Sequence, residues 1–202
     1  MTLLEDAIDV LDGYSPDDPS QQRLRSEFLA HLDAHPDGIW RDGPPAHLTA
    51  SCFVFDPAGE RVLLTLHRKG GFWVQLGGHL EPGDSTLAGA ALREATEESG
   101  VGLALAPGPV GLHRHELSAA FGRCREHLDV AYAAVAATGA MPAVSDESDD
   151  VAWWLLDALP ATVVPDLPAR LAQLTSSSSA AGCSRAPLEN PSRNPRARSV
   201  RG

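Results

Sequence analysis

Cysteine is scarce: Cys52, Cys124 and Cys183 are the only three, and no two of them form a Cys-x-x-Cys pair. That excludes a zinc ribbon and a disulfide framework, and it implies a reducing, cytoplasmic setting. No apolar run approaches the ~18–20 residues that a membrane-spanning helix needs. The opening stretch MTLLEDAIDV carries acids where a secretion signal carries basic residues, so export is not expected. Lysine is nearly absent, with Lys69 alone, and Lys+Arg total 16 against 27 Asp+Glu, a net charge of −11. Five arginines and one glutamate lie in residues 176–202, so the rest of the chain is more acidic still. Such a body repels polyanions, which argues against nucleic acid or an anionic membrane as partner. A small anion held through a divalent metal remains compatible, because the metal supplies the missing positive charge.

What is present is an ordinary globular composition, 43% hydrophobic over 202 residues, enough for one core with appendages. Residues 1–44 read as a helical extension of two amphipathic helices. Leu4, Ile8 and Leu11 share one face, as do Leu24, Phe28 and Leu32, with a Ser-Pro-Asp-Asp-Pro break between them. Residues 45–175 form the dense domain. HLTASCFVF (47–55) and RVLLTLH (61–67) flank Asp56-Pro57-Ala58-Gly59, a hairpin signal. FWVQL (72–76) predicts a further strand running into Gly77-Gly78, and strands are expected at 110–117, 127–136 and 151–155. A helix is expected from Asp84 or Ser85 to Gly100, and a last one over 166–174. Residues 176–202, rich in Arg, Ser and Pro, are expected to be a disordered tail. The pattern is α+β.

One segment carries chemistry: GGHLEPGDSTLAGAALREATEESGV, residues 77–101. On a helix Glu94 stands three residues before Glu97 and four before Glu98, so three carboxylates crowd one arc of about 100°. Like charges at that spacing oppose a helix by roughly 0.2–0.5 kcal/mol per pair. A hard divalent cation offsets that repulsion through carboxylate oxygens. Arg93 is placed to pin one of them. The opposite face, Leu87, Ala91 and Ala95, suits close packing on a sheet.

These residues resemble the Nudix box, G-x5-E-x7-R-E-U-x-E-E-x-G-U with U aliphatic. Arg93-Glu94-Ala95-Thr96-Glu97-Glu98-Ser99-Gly100-Val101 fills its second half. The first half departs: Asp84 stands in place of glutamate, and eight residues instead of seven separate it from Arg93. The resemblance implies an α/β/α sandwich around a mixed sheet, with the box helix at about 85–99. It implies Mg²⁺-dependent, or Mn²⁺-dependent, hydrolysis of a nucleoside diphosphate linked to another moiety. Glu94, Glu97 and Glu98, with the carbonyl of Gly78, match the family's metal ligands. Glu97 also matches a catalytic position, and Arg93 and Gly100 match structural ones. Glu147, in an acidic loop before a Trp153-Trp154 strand, matches the metal-binding or general-base glutamate that many members carry in that loop, or is simply part of a solvent-facing acidic stretch. Two rivals share the fold: a nucleotide-sensing domain without catalysis, and an isopentenyl diphosphate isomerase-like enzyme that needs a proton-shuttling cysteine.

Lesser groupings remain. His67 and Arg68, just ahead of the box, are candidates to meet a substrate phosphate, or are simply a solvated hairpin end. His113, His115 and His127 with Asp129 are a weak metal-type cluster, more readily read as strand histidines. Cys124 reads as an ordinary thiol. The N-terminal helices either cover a sheet edge or mediate a homodimer.

Overall fold

The structure is a computed structural model and describes residues 1–118, 122–145 and 148–180, the last five as helical backbone. In chain order the elements are α1 (Leu3–Gly13), α2 (Pro19–Ala34), β1 (Ala46–Phe55), β2 (Arg61–His67), β3 (Phe72–Val74), β4 (Leu76–His79), α3 (Leu87–Ser99), β5 (Leu103–Leu105), β6 (Gly111–Glu116), β7 (Glu126–Ala136), β8 (Ser148–Leu155) and α4 (Leu167–Ala180). Residues 181–202, most of the expected tail, and Glu147 lie outside the described residues.

All the strands belong to one mixed sheet with β1 at its centre. β1 turns at Asp56 into β2, with Val54 opposite Leu63. The Asp56 carboxylate accepts the amides of Glu60 and Arg61 at 2.8 and 2.9 Å, and Gly59 takes the left-handed φ of +69°. On its other side β1 runs parallel to β7, from Ala46 opposite Glu126 to Phe55 opposite Val135. β7 carries β5 and β6 antiparallel, and β2 carries β3 and β8.

Because side chains alternate along a strand, each strand feeds both layers. On one face Leu48, Ala50, Val130 and Tyr132 pack with Leu3, Ala7 and Leu11 of α1, Phe28 and Leu32 of α2, and Leu87, Ala90 and Ala91 of α3. On the other face Phe53, Val62, Leu64 and Ala131 pack with Leu167 and Leu171 of α4. This is the α/β/α sandwich of the α+β class. The N-terminal helices share the main core with the sheet and with α3.

Local differences from the sequence reading have physical causes. The strand expected over 72–76 is two strands with different partners: β3 pairs with β2, and β4 pairs with β1, switching at Gln75. Glycine makes β4 possible, since a Cβ at Gly77 would lie 2.5 Å from the Ser51 Cα. The short β5 carries no alternation signal of its own and is held by β7. The cap of α3 is Thr86, whose hydroxyl accepts the Gly89 amide at 2.9 Å, and not Asp84 or Ser85. Asp84 is committed elsewhere. α4 begins at Leu167 and runs past residue 174 to Ala180.

Candidate active site

α3 is held at both ends. Beyond its Thr86 cap, the Leu87 amide donates to the Asp6 carboxylate at 2.7 Å, a buried bond reaching across from α1. At the other end Gly100 adopts φ +66°, and its amide donates to the Thr96 carbonyl at 2.7 Å. The apolar face, Leu87, Ala91 and Ala95, is fully buried. Glu94, seven residues after Leu87, shares that side of the helix instead of lying opposite it as the sequence suggests, and this brings its carboxylate against the β4 backbone at Gly78.

Arg93 organises that face. Its Nε and Nη2 donate to the two Asp84 oxygens at 2.9 Å each, a bidentate pair. Nη1 donates to Glu94 at 3.1 Å and Glu97 at 3.0 Å, and Nη2 also reaches the His79 carbonyl at 3.1 Å. The hydrogen bonds to Asp84 come first among the influences that hold the guanidinium firmly charged. Burial works against ionisation of Asp84, but Arg93 and the Glu81 amide outweigh it and keep the carboxyl below its ordinary range. The aspartate thus ties the loop before α3 to the arginine within it.

The glycines bring backbone to the carboxylates. The Gly77 amide donates to Glu98 Oε2 at 2.9 Å. A Cβ at Gly78 would meet the Glu94 carboxylate at 2.6–2.7 Å, so that position accepts nothing larger without moving the acid. Glu94 is 9% exposed, Glu98 is intermediate and Glu97 is open to solvent. Three carboxylates, two glycine backbones and a fixed arginine therefore converge at the β4–α3 junction.

A family model described as NUDIX domain matches residues 45–175. The chain belongs to the NUDIX family. It is a hydrolase of that class. Among solved structures it resembles a NUDIX-family hydrolase from Clostridium perfringens, with 22% identity over 67% of this chain and 97% of that one and a TM-score of 0.54. It also resembles a C. elegans Ap4A hydrolase in a binary complex (18% identity, 66% and 98% coverage, TM-score 0.54). A third is the E. coli dihydroneopterin triphosphate pyrophosphohydrolase (17% identity, 64% and 95% coverage, TM-score 0.52). At these identities the likeness is one of fold. Comparison with curated proteins gives no match.

Other candidates of this Nudix chain stand apart from the carboxylate arc. Arg68 Nε donates to Asp149 at 3.1 Å and Nη2 to the Ser148 carbonyl at 3.0 Å, so it joins the β2–β3 turn to β8. The His67 ring stacks on Phe72 at 5.6 Å, and its Nδ1 accepts the Gly70 amide. Cys52 is fully buried under α3, and burial pushes its thiol up to about 12, which removes it as a proton shuttle.

The histidines are arranged differently from the sequence reading. Asp129 accepts the hydroxyls of Thr49 at 3.2 Å and Ser51 at 2.7 Å and pairs with Arg170 at 3.4 Å. His113 pairs with Asp166 at 3.2 Å. The His115 ring stacks on His113 at 5.3 Å and meets His127 edge-on at 5.1 Å, but the ligating atoms of His127 gather with those of His47, His79 and Cys124, all within 4.8 Å of one another. Sequence reasoning missed His47 and His79 because their neighbourhood is made by strand pairing. The only local signal was Cys124-x-x-His127.

Proposed function

We propose that this Nudix hydrolase cleaves a phosphoanhydride bond of a nucleoside diphosphate linked to another moiety, with Mg²⁺ as cofactor and Mn²⁺ as an alternative. The observation that carries the reading is the Arg93-fixed arc of Glu94, Glu97 and Glu98 against the Gly77–Gly78 backbone. Its donors are all hard oxygens, the chemistry that Mg²⁺ selects. The missing Cβ at Gly78 leaves the Glu94 carboxylate and the neighbouring carbonyl room to share one ligand. Glu94, Glu97, Glu98 and the Gly78 carbonyl are the proposed holders of the ion. When bound, the ion neutralises diphosphate charge and lowers the pKa of water.

The chain's own groups do the rest. Arg93 keeps Glu94 and Glu97 from swinging apart under mutual repulsion, a cost prepaid on folding. Glu97, the exposed acid, is proposed to take the proton of the attacking water, with Glu147 as the second candidate for that role. The water oxygen forms a bond to phosphorus and the bridging phosphorus–oxygen bond breaks. The products are a nucleoside monophosphate and the phosphorylated second moiety. Arg68 is proposed to meet a substrate phosphate by exchanging Asp149 for it.

The test is phosphate release after phosphatase coupling, across nucleotides, dinucleoside polyphosphates and nucleotide sugars, with and without Mg²⁺. The reading expects Mg²⁺-dependent release from at least one class. Release that is indifferent to chelation overturns it.

A further inference from the structure

On the sheet face opposite α3, four side chains meet that the hydrolytic reading does not use. His47 opens β1 and stands directly opposite His127 at the start of β7. His79 ends β4, which pairs with β1 on its other side, with Thr49 as its partner. Cys124 precedes β7, in a segment held to β1 by the Arg125 amide donating to the Pro45 carbonyl at 2.9 Å. The three rings form a triangle with centroid separations of 5.2, 5.2 and 5.0 Å. Cys124 is 6% exposed and His47 is 0% exposed.

The rings lack the hydrogen bonds that burial ordinarily demands. Among the described residues, the Nε2 atoms of His47, His79 and His127 are buried and meet no partner. A buried polar group left unpaired has given up its water with nothing in return, and here three share one small volume. His47 also carries a feature of metal-binding imidazoles. Its Nδ1–H donates to the Pro44 carbonyl at 3.2 Å, which places the lone pair on Nε2, toward the cluster.

We propose that His47, His79, Cys124 and His127 form a second metal site, distinct from the carboxylate arc, that takes a borderline-soft divalent ion of the Zn²⁺ class. Three imidazole nitrogens and a thiolate suit zinc, whereas the all-oxygen arc on α3 suits Mg²⁺. Zinc bonds of about 2.0–2.3 Å set tetrahedral donor separations of roughly 3.3–3.8 Å. Closing from 4.8 Å moves each donor inward by less than about 1 Å. Four protein ligands complete a tetrahedron, so the site is structural. Binding releases the Cys124 proton to solvent, and no electron is transferred. The ion staples β1, β4 and β7 at one end, and His79 directly follows Gly78 of the catalytic turn.

The full-length protein, stripped with chelator and reloaded with Co²⁺, tests this. Expected are the visible bands of tetrahedral cobalt and a near-ultraviolet thiolate-to-cobalt charge-transfer band, saturating at one ion per chain. Zn²⁺ displaces them and excess Mg²⁺ does not. Cys124→Ser loses the charge-transfer band and Cys183→Ser keeps it. The double change Glu97→Gln with Glu98→Gln keeps both sets. Absence of the bands in folded wild-type protein overturns the proposal without recourse to any variant. Retention of the charge-transfer band in Cys124→Ser, or loss of the bands in the glutamate double variant, overturns it as well.

Discussion

At the scale of single residues, Arg93 explains how three glutamates coexist on one helix face. Its five donors are shared between Asp84, Glu94, Glu97 and a backbone carbonyl. This makes Gly78 a sensitive position. In Gly78→Ala the new methyl meets the Glu94 carboxylate, which is the end of a side chain and can move, so the fold is expected to survive. The displaced acid leaves the arc, and kcat is expected to fall at least about tenfold, with thermal stability nearly unchanged. Unaltered kcat would show that Glu94 does not act there. Glu147, proposed as an alternative base, is separable from its acidic neighbour Asp149, which already pairs with Arg68. If Glu147 and not Glu97 takes the proton of the water, Glu147→Gln cuts kcat by about 100-fold or more while KM stays within a few-fold. Asp149→Asn should leave kcat nearly intact. If the two variants behave alike in steady-state assays, the loop is merely acidic.

At the scale of elements, the box helix was legible because its signal is local. Positions 94, 97 and 98 are brought together by the helical repeat alone, and Gly100 stops the helix where a left-handed residue is needed. The β1–β2 hairpin was legible for the same reason, through alternation broken by Asp56-Pro57-Ala58-Gly59. What was illegible depends on pairing across the chain: the change of partner at Gln75, the choice of Thr86 over Asp84 as cap, and the meeting of residues 47, 79, 124 and 127. The bond from Asp6 to the Leu87 amide belongs to the same class, since α1 and α3 are far apart in sequence. It makes the N-terminal extension a support for the box helix. Asp6→Ala is expected to cost about 1–3 kcal/mol in urea unfolding, because a buried helix-end amide loses its acceptor and a favourable charge. Asp6→Asn, which keeps an acceptor oxygen, should recover much of the loss. Equal stability of the two variants would contradict that role.

At the scale of the whole molecule, the two faces of the sheet carry different chemistry. The α3 face presents oxygen donors with a fixed arginine. The other gathers imidazoles away from water, and that burial has a pH signature. Burial first, then Arg41 and any protonation of His47, hold His79 down at about 4. Burial, together with His79, His115, His47 and Arg41, holds His127 at about 2. In the unfolded chain both titrate near 6.5, so below that pH the unfolded state takes up protons that the fold refuses. Stability is therefore full above about pH 6.5 and declines as pH falls toward 4, with a slope of at most about 1.4 kcal/mol per pH unit for each group. Denaturation midpoints of chelator-treated protein at pH 7.5, 6 and 5 should fall in that order, and His127→Gln should flatten the series. A midpoint independent of pH over this range would contradict the buried neutral cluster.

The carboxylate arc is the proposed hydrolytic centre, and Glu98→Gln probes it most directly. The change is nearly isosteric, leaves an acceptor for the Gly77 amide, and relieves repulsion along α3, so folding is expected to persist by circular dichroism. In the coupled phosphate-release assay at saturating Mg²⁺, on whichever substrate the wild-type protein turns over best, kcat should fall by about 100-fold or more, the scale on which removing a key charge stabiliser acts. A folded Glu98→Gln protein that keeps more than about half of the wild-type kcat would place the chemistry elsewhere and contradict the account.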